Sequence, residues 1–181
     1  SRDHSESMMR HFGASVSQDI NADGSHRVTL AGEAELVAKD VLVPGDPSSA
    51  AFVMVAALIS ADSDITIPAV GMNPLRTGLI TTLREMGGNI EISNERIEGG
   101  EKIADIRVRH SKLTGIAVPP ERAASMIDEY PVLSVAASVA TGQTIMQGVA
   151  ELRVKETDRI KVMADGLAMA VSGIFERPRH G

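Results

Sequence analysis

Apolar residues fall in spaced blocks along this chain, and each block predicts an element. In "SRDHSESMMRHFG" (residues 1–13), Met8, Met9 and Phe12 share one helical face and Gly13 is a natural stop. "SVSQDI" and "HRVTLAG" follow as strands, joined through "NADGS", where Asp23-Gly24 favours a hairpin turn. "KDVLVPG" (39–45) is predicted as a further strand running into a turn.

"DPSSAAFVMVAALIS" then predicts a helix to about Ser60, with Asp46 as N-cap and Pro47 at the first helical position. A strand, "SDITIP", comes next. "NPLRTGLITTLREMGG" repeats the device: Asn73 caps, Pro74 starts, and Leu79, Ile80, Leu83 and Met86 form the apolar stripe. Gly87 and Gly88 end it. "NIEIS", "IADIRVRHS" and "LTGIAVP" are strand-like, with Gly-containing turns between them. The pattern returns with an apolar helix "MIDEYPVLSVAASVA", a strand "GQTIMQG" and a helix "KETDRIKVMADGLAMA" striped by Ile160, Met163 and Leu167.

A shift of 80 positions carries Ala56-Ala57 onto Ala136-Ala137, Ile65 onto Ile145, Ile80 onto Ile160 and Leu83 onto Met163. Residues 46–93 and 128–170 therefore match as two copies of one helix–strand–helix unit, which implies an α/β architecture of repeated units.

Composition narrows the function. Apolar residues make up 43 % of the 181, enough for a real core, yet aromatics are only 2 %. The core must be built from Val, Ile, Leu, Ala and Met. The net charge of −6 argues against sequence-independent nucleic-acid binding, which needs a broad basic surface. With no cysteine there is no disulfide, thiolate metal site or Cys nucleophile, and a reducing, cytoplasmic setting fits. The five histidines show no ligand spacing, so no metal is expected. No apolar run reaches membrane-spanning length.

Against this acidic background, "ELRVKETDRIK" (151–161) concentrates Arg153, Lys155, Arg159 and Lys161. Charge density alone fits a solvated helix start, with Glu156 and Asp158 at its positive end. If the helix begins at Lys155, however, Lys155 and Arg159 lie on one side of its first turn, where free N–H groups favour anions. With Glu156 beside them they form a site for an anionic substrate and proton transfer. Asp128, in "DEYP", is either the N-cap of the following helix or a partly buried general base. "PGDPSSA" lacks the glycines and Lys of a phosphate loop, so Asp46 is read as a cap and Ser48 as structural. "NPLRTG" is read as structural too.

Residues 153–160, "RVKETDRI", resemble the C-terminal signature of the 5-enolpyruvylshikimate-3-phosphate synthase family. "VPGDPSSAAFVMVAALI", "GMNPLRTGLITTLREMGG", "SMIDEYPVLSVAA" and "SRDHSESMMRHFGA" resemble the same family, nearest to the class with glyphosate-tolerant members. The resemblance runs from Ser1 to about Gly166; the tail "AVSGIFERPRHG" does not follow it clearly. It implies an inside-out α/β barrel fold of two similar domains built from βαβαββ-type units. Residues 1–44 would be the C-terminal part of the first domain and 45–181 the N-terminal part of the second.

The implied reaction moves the enolpyruvyl group of phosphoenolpyruvate to the 5-hydroxyl of shikimate 3-phosphate, releasing phosphate, with no metal or organic cofactor. Glyphosate is the implied inhibitor. Arg2 would bind the shikimate phosphate, and Asp128 would contact the shikimate hydroxyls as base or proton shuttle. Lys155 would bridge both substrates, Glu156 would move a proton at the methylene carbon, and Arg159 would clamp phosphoenolpyruvate. Family proteins are much longer than this chain, so it resembles a middle piece that lacks part of the active site. The alternatives are a fragment that only folds or binds anions, and the related UDP-N-acetylglucosamine enolpyruvyl transferase. That relative typically uses a Cys and lacks the Lys-Glu-x-Asp-Arg run.

Overall fold

The structure is a computed structural model and describes residues 2–170. Its first elements follow the sequence pattern. Helix α1 (His4–His11) ends before Gly13, which takes φ of +100°. Strand β1 (Val16–Ile20) pairs antiparallel with β2 (His26–Leu30). Asp23 shapes the turn between them by accepting from the Ser25 backbone N–H at 2.9 Å, and Gly24 supplies the positive φ.

The strand predicted at 39–45 does not form. Gly45 alone makes a bridge there, to Val70, and Leu42 and Val43 are exposed. A run of β-formers becomes a strand only where a partner edge takes up its N–H and C=O groups. Among the described residues this run meets such an edge only at Gly45.

Helix α2 (Pro47–Ile59) starts as predicted, with Asp46 accepting from Ser49 N at 2.9 Å. Strand β3 (Asp64–Gly71) follows. Asn73 caps a 3-10 turn, Pro74–Arg76, by accepting from Leu75 N, and helix α3 (Gly78–Glu85) begins after it. Strands β4 (Asn89–Glu98) and β5 (Glu101–Arg109) form a hairpin across Gly99-Gly100, both at positive φ. The sheet order is β3-β5-β4, all antiparallel. Two short strands, β6 (Ala117–Val118) and β7 (Ile145–Met146), pair in parallel.

Three predicted helices start late, α3 among them, at Gly78 instead of the expected Pro74. Over 126–140, residues Ile127–Glu129 form a 3-10 turn and helix α4 runs Tyr130–Val139. Pro131 has no N–H to donate to Ile127, so an α-turn cannot close there and the tighter turn takes its place. In the last segment Ala150–Val154 is a 3-10 turn, Lys155 is extended at ψ −156°, and helix α5 runs Arg159–Ala170. The order α2, β3, 3-10 turn, α3 recurs as α4, β7, 3-10 turn, α5, at the spacing found in the sequence.

The core forms where α2, α3 and α4 meet the sheet. Met54, Leu58, Leu83, Met86, Ile106, Met126 and Leu133 are each no more than 1 % exposed. Each such burial is worth about 1.5–3 kcal/mol before entropy is counted. The continuous cluster runs from Ala50 to Leu152; before it, Ala14 is the one buried apolar residue among those described. No described helix is long and apolar enough to cross a membrane.

Candidate active site

Asp128 lies in the 3-10 turn just ahead of α4, where the side chain is free of any capping role. The cap interpretation is thereby overturned: Asp128 reaches sideways to two arginines. Oδ2 accepts from Arg2 Nη2 at 2.7 Å, and Oδ1 accepts from Arg159 Nη1 at 3.2 Å. These contacts join the start of the chain, the front of α4 and the first residue of α5.

Arg159 also grips Glu156. Its Nε and Nη2 donate to the two Glu156 oxygens at 2.9 and 2.8 Å, the bidentate fork that suits guanidinium to carboxylate. Asp158 caps α5 by accepting from Lys161 N at 3.0 Å, and it accepts from Arg153 at 2.9 Å. The charged stretch is thus divided between building a helix start and holding Arg159 in place.

Lys155 is the exception. Because α5 begins at Arg159, Lys155 and Arg159 do not share a helical first turn, which corrects the sequence expectation. Lys155 Nζ pairs with Glu151 instead. The structure therefore links Arg2, Asp128, Glu156 and Arg159 into one network and sets Lys155 on the loop leading into it.

Electrostatics follow from these contacts. Burial alone would raise the Asp128 pKa, but hydrogen bonds from Arg2 and Arg159 outweigh it and hold the carboxyl below the usual range. Arg159 does the same for Glu156 through their hydrogen bonds. Glu129 goes the other way: burial pushes it up, against a hydrogen bond from Ser48.

Sequence reasoning passed over part of this environment. Arg76, from the "NPLRTG" turn, donates to Ser48 Oγ at 2.7 Å and to Asp46 at 3.1 Å, and Ser48 donates to Glu129. The pair Asp128-Glu129 ahead of an apolar helix was the one visible signal. Behind Arg159 a cavity of about 460 Å³ opens between α4 and α5, lined among others by Tyr130, Ser134, Ile160, Met163 and Leu167.

The arrangement offers two cations and two carboxylates within one hydrogen-bonded network, suited to anionic groups and to proton transfer. Comparison with known proteins points the same way. The model of the family EPSP synthase (3-phosphoshikimate 1-carboxyvinyltransferase) matches residues 1–171. The 3-phosphoshikimate 1-carboxyvinyltransferase of Mesorhizobium japonicum is 58 % identical over 168 residues, covering 93 % of this chain and 37 % of its own length. That of Granulibacter bethesdensis is 58 % identical over 174 residues, 96 % of this chain and 38 % of the relative. The solved EPSP synthase of Acinetobacter baumannii superposes with a TM-score of 0.87 at 49 % identity, over 93 % of this chain and 37 % of that one. The chain spans little more than a third of the length of the relatives it matches.

Proposed function

The chain belongs to the EPSP synthase family, and from that premise we propose that the protein it forms part of transfers enolpyruvyl from phosphoenolpyruvate to the 5-hydroxyl of shikimate 3-phosphate. The observation that carries this reading is the convergence on Asp128 of Arg2, 126 positions away, and Arg159, 31 positions away. Residues from separate family motifs meet there.

In the reaction the 5-hydroxyl oxygen bonds to the carbon that carries the phosphate of phosphoenolpyruvate, the hydroxyl proton leaves, and phosphate departs. Asp128 takes the hydroxyl proton. Arg2 holds the phosphate of shikimate 3-phosphate, and Arg159 holds the carboxylate of phosphoenolpyruvate. Glu156 delivers a proton to the methylene carbon, which makes its neighbour electrophilic, and the proton is lost again as phosphate leaves. Lys155 turns from Glu151 to bridge the two substrates. The multiply charged substrates need these local cations on a protein of net charge −6. Glyphosate, an anion, would compete for the phosphoenolpyruvate side. Small phosphorylated metabolites as substrates fit a cytoplasmic enzyme.

The concentration of the core after residue 45 supports a division into 1–44, the end of one domain, and 45–181, the start of another. The 181 residues alone are expected to be inactive, since they span 37 % of the relatives' length.

The test is phosphate release from phosphoenolpyruvate plus shikimate 3-phosphate. It is measured for a polypeptide of the relatives' full length carrying this segment, and for the 181-residue chain beside it. Release that requires both substrates supports the assignment; none from the full-length polypeptide refutes it.

A further inference from the structure

Glu129 follows Asp128 directly and is 5 % exposed. Burying a carboxylate costs free energy unless something is gained by it, and an apolar side chain of similar size would fill the space at lower cost. Glu129 is instead supplied with a partner from far away. Its Oε1 accepts a hydrogen bond from Ser48 Oγ, 81 positions earlier. Ser48 accepts from Arg76, whose side chain is 15 % exposed, and Arg76 also reaches Asp46, the cap of α2. A chain of polar contacts thus ties the 127–129 turn to the start of α2 and to the 74–76 turn.

Asp128 needs such an anchor. Its side chain is held by Arg2 and Arg159, the two groups that in the proposed reaction turn to the anionic groups of the substrates. Once they turn, the position of Asp128 depends on its backbone. That backbone belongs to a turn of three residues, Ile127–Glu129, whose third member is locked from below.

We propose that Glu129 is a positioning residue: through Ser48 and Arg76 it locks the 127–129 turn to α2 and so holds the Asp128 carboxylate where a substrate hydroxyl gives up its proton. The inference rests on the enolpyruvyl-transfer reading of the site. It adds Glu129, Ser48 and Arg76, which act through Asp128 and not on the substrates.

The test uses the full-length polypeptide, with kcat, the KM for phosphoenolpyruvate and the melting temperature measured for Ser48→Ala, Glu129→Ala and Glu129→Gln. Misplacing a reacting group by about 1 Å costs up to roughly a hundredfold in rate, so the two Ala variants are expected to lose about tenfold to a hundredfold in kcat per folded molecule. Their KM for phosphoenolpyruvate stays within about twofold, because Arg159 is untouched. Glu129→Gln keeps an acceptor for Ser48 and retains most of kcat. Should Glu129→Ala fail to fold, Ser48→Ala decides alone. Parental kcat per folded molecule in Ser48→Ala overturns the proposal, as does a Gln variant as slow as the Ala variant. A parent without turnover on the two substrates overturns the reaction assignment, a separate result.

Discussion

Replacing Asp128 by Asn separates a catalytic carboxylate from a structural one. The substitution keeps size and one carbonyl acceptor, and removes the charge between Arg2 and Arg159. The side chains concerned are 33 % (Asp128), 43 % (Arg2) and 23 % (Arg159) exposed. Solvent screens pairs this open, so their worth lies near the exposed end of the range, about 1 kcal/mol in all. For a domain of this size that is a fall in melting temperature of about 2–4 °C. Catalysis should respond far more strongly. Removing a general base lowers rate by about 10²–10⁴, or roughly 3–5 kcal/mol of barrier. Two assays are needed: thermal or urea unfolding of the 181-residue chain, and phosphate release by the full-length polypeptide. The expected outcome is a near-parental fold with turnover lower by at least about a hundredfold. Turnover within about tenfold of the parent refutes the base role. A stability loss above about 3 kcal/mol would show that the pair behaves as a buried one and that Asp128 is there for the fold.

Lys155→Met should lower turnover by orders of magnitude while costing under about 1 kcal/mol of stability, since its pairing with Glu151 is at the surface; near-normal kcat argues against the bridging role. Leu83→Ala empties a fully buried site on α3 and should cost about 2–5 kcal/mol in urea unfolding; a loss below about 1 kcal/mol would mean the core closes over the gap. Glu129 has a folded pKa raised above 4.5, so its contribution to stability is full below pH 4.5 and is lost as pH rises through the folded value. Glu129→Gln abolishes that loss, and its unfolding free energy relative to the parent should climb as pH rises above 4.5; a difference that is flat with pH contradicts it.

Elements with local punctuation were legible from sequence. Asp46-Pro47 placed the start of α2, Gly87-Gly88 the end of α3, and the 80-residue repeat the order of elements around α4 and α5. Failures came where a partner, not a pattern, decides. The run 39–45 has strand composition but meets an edge only at Gly45, and the helix start moved from Lys155 to Arg159 because Asp158 provides the cap. In the candidate site, the Arg159 fork to Glu156 is local and within reach of spacing arguments. The pairing of Arg2 with Asp128 spans 126 positions, and no periodicity reports such a contact; family resemblance alone brought Arg2 forward. The Ser48–Glu129 bond spans 81 positions and had neither route.

The double pairing of Asp128 makes it an internal counterion. With both arginines already neutralised, a small singly charged anion gains little by exchanging for a carboxylate that is in place. In the proposed reaction two anions would act together, the phosphate of shikimate 3-phosphate at Arg2 and the carboxylate of phosphoenolpyruvate at Arg159, and Asp128 would then lose the partners that hold its pKa down. Its proton affinity would rise as the substrate hydroxyl is brought to it. On the proposed reaction, the displacement that admits both substrates would also turn a placeholder charge into a stronger base, so that selection and activation would become a single event.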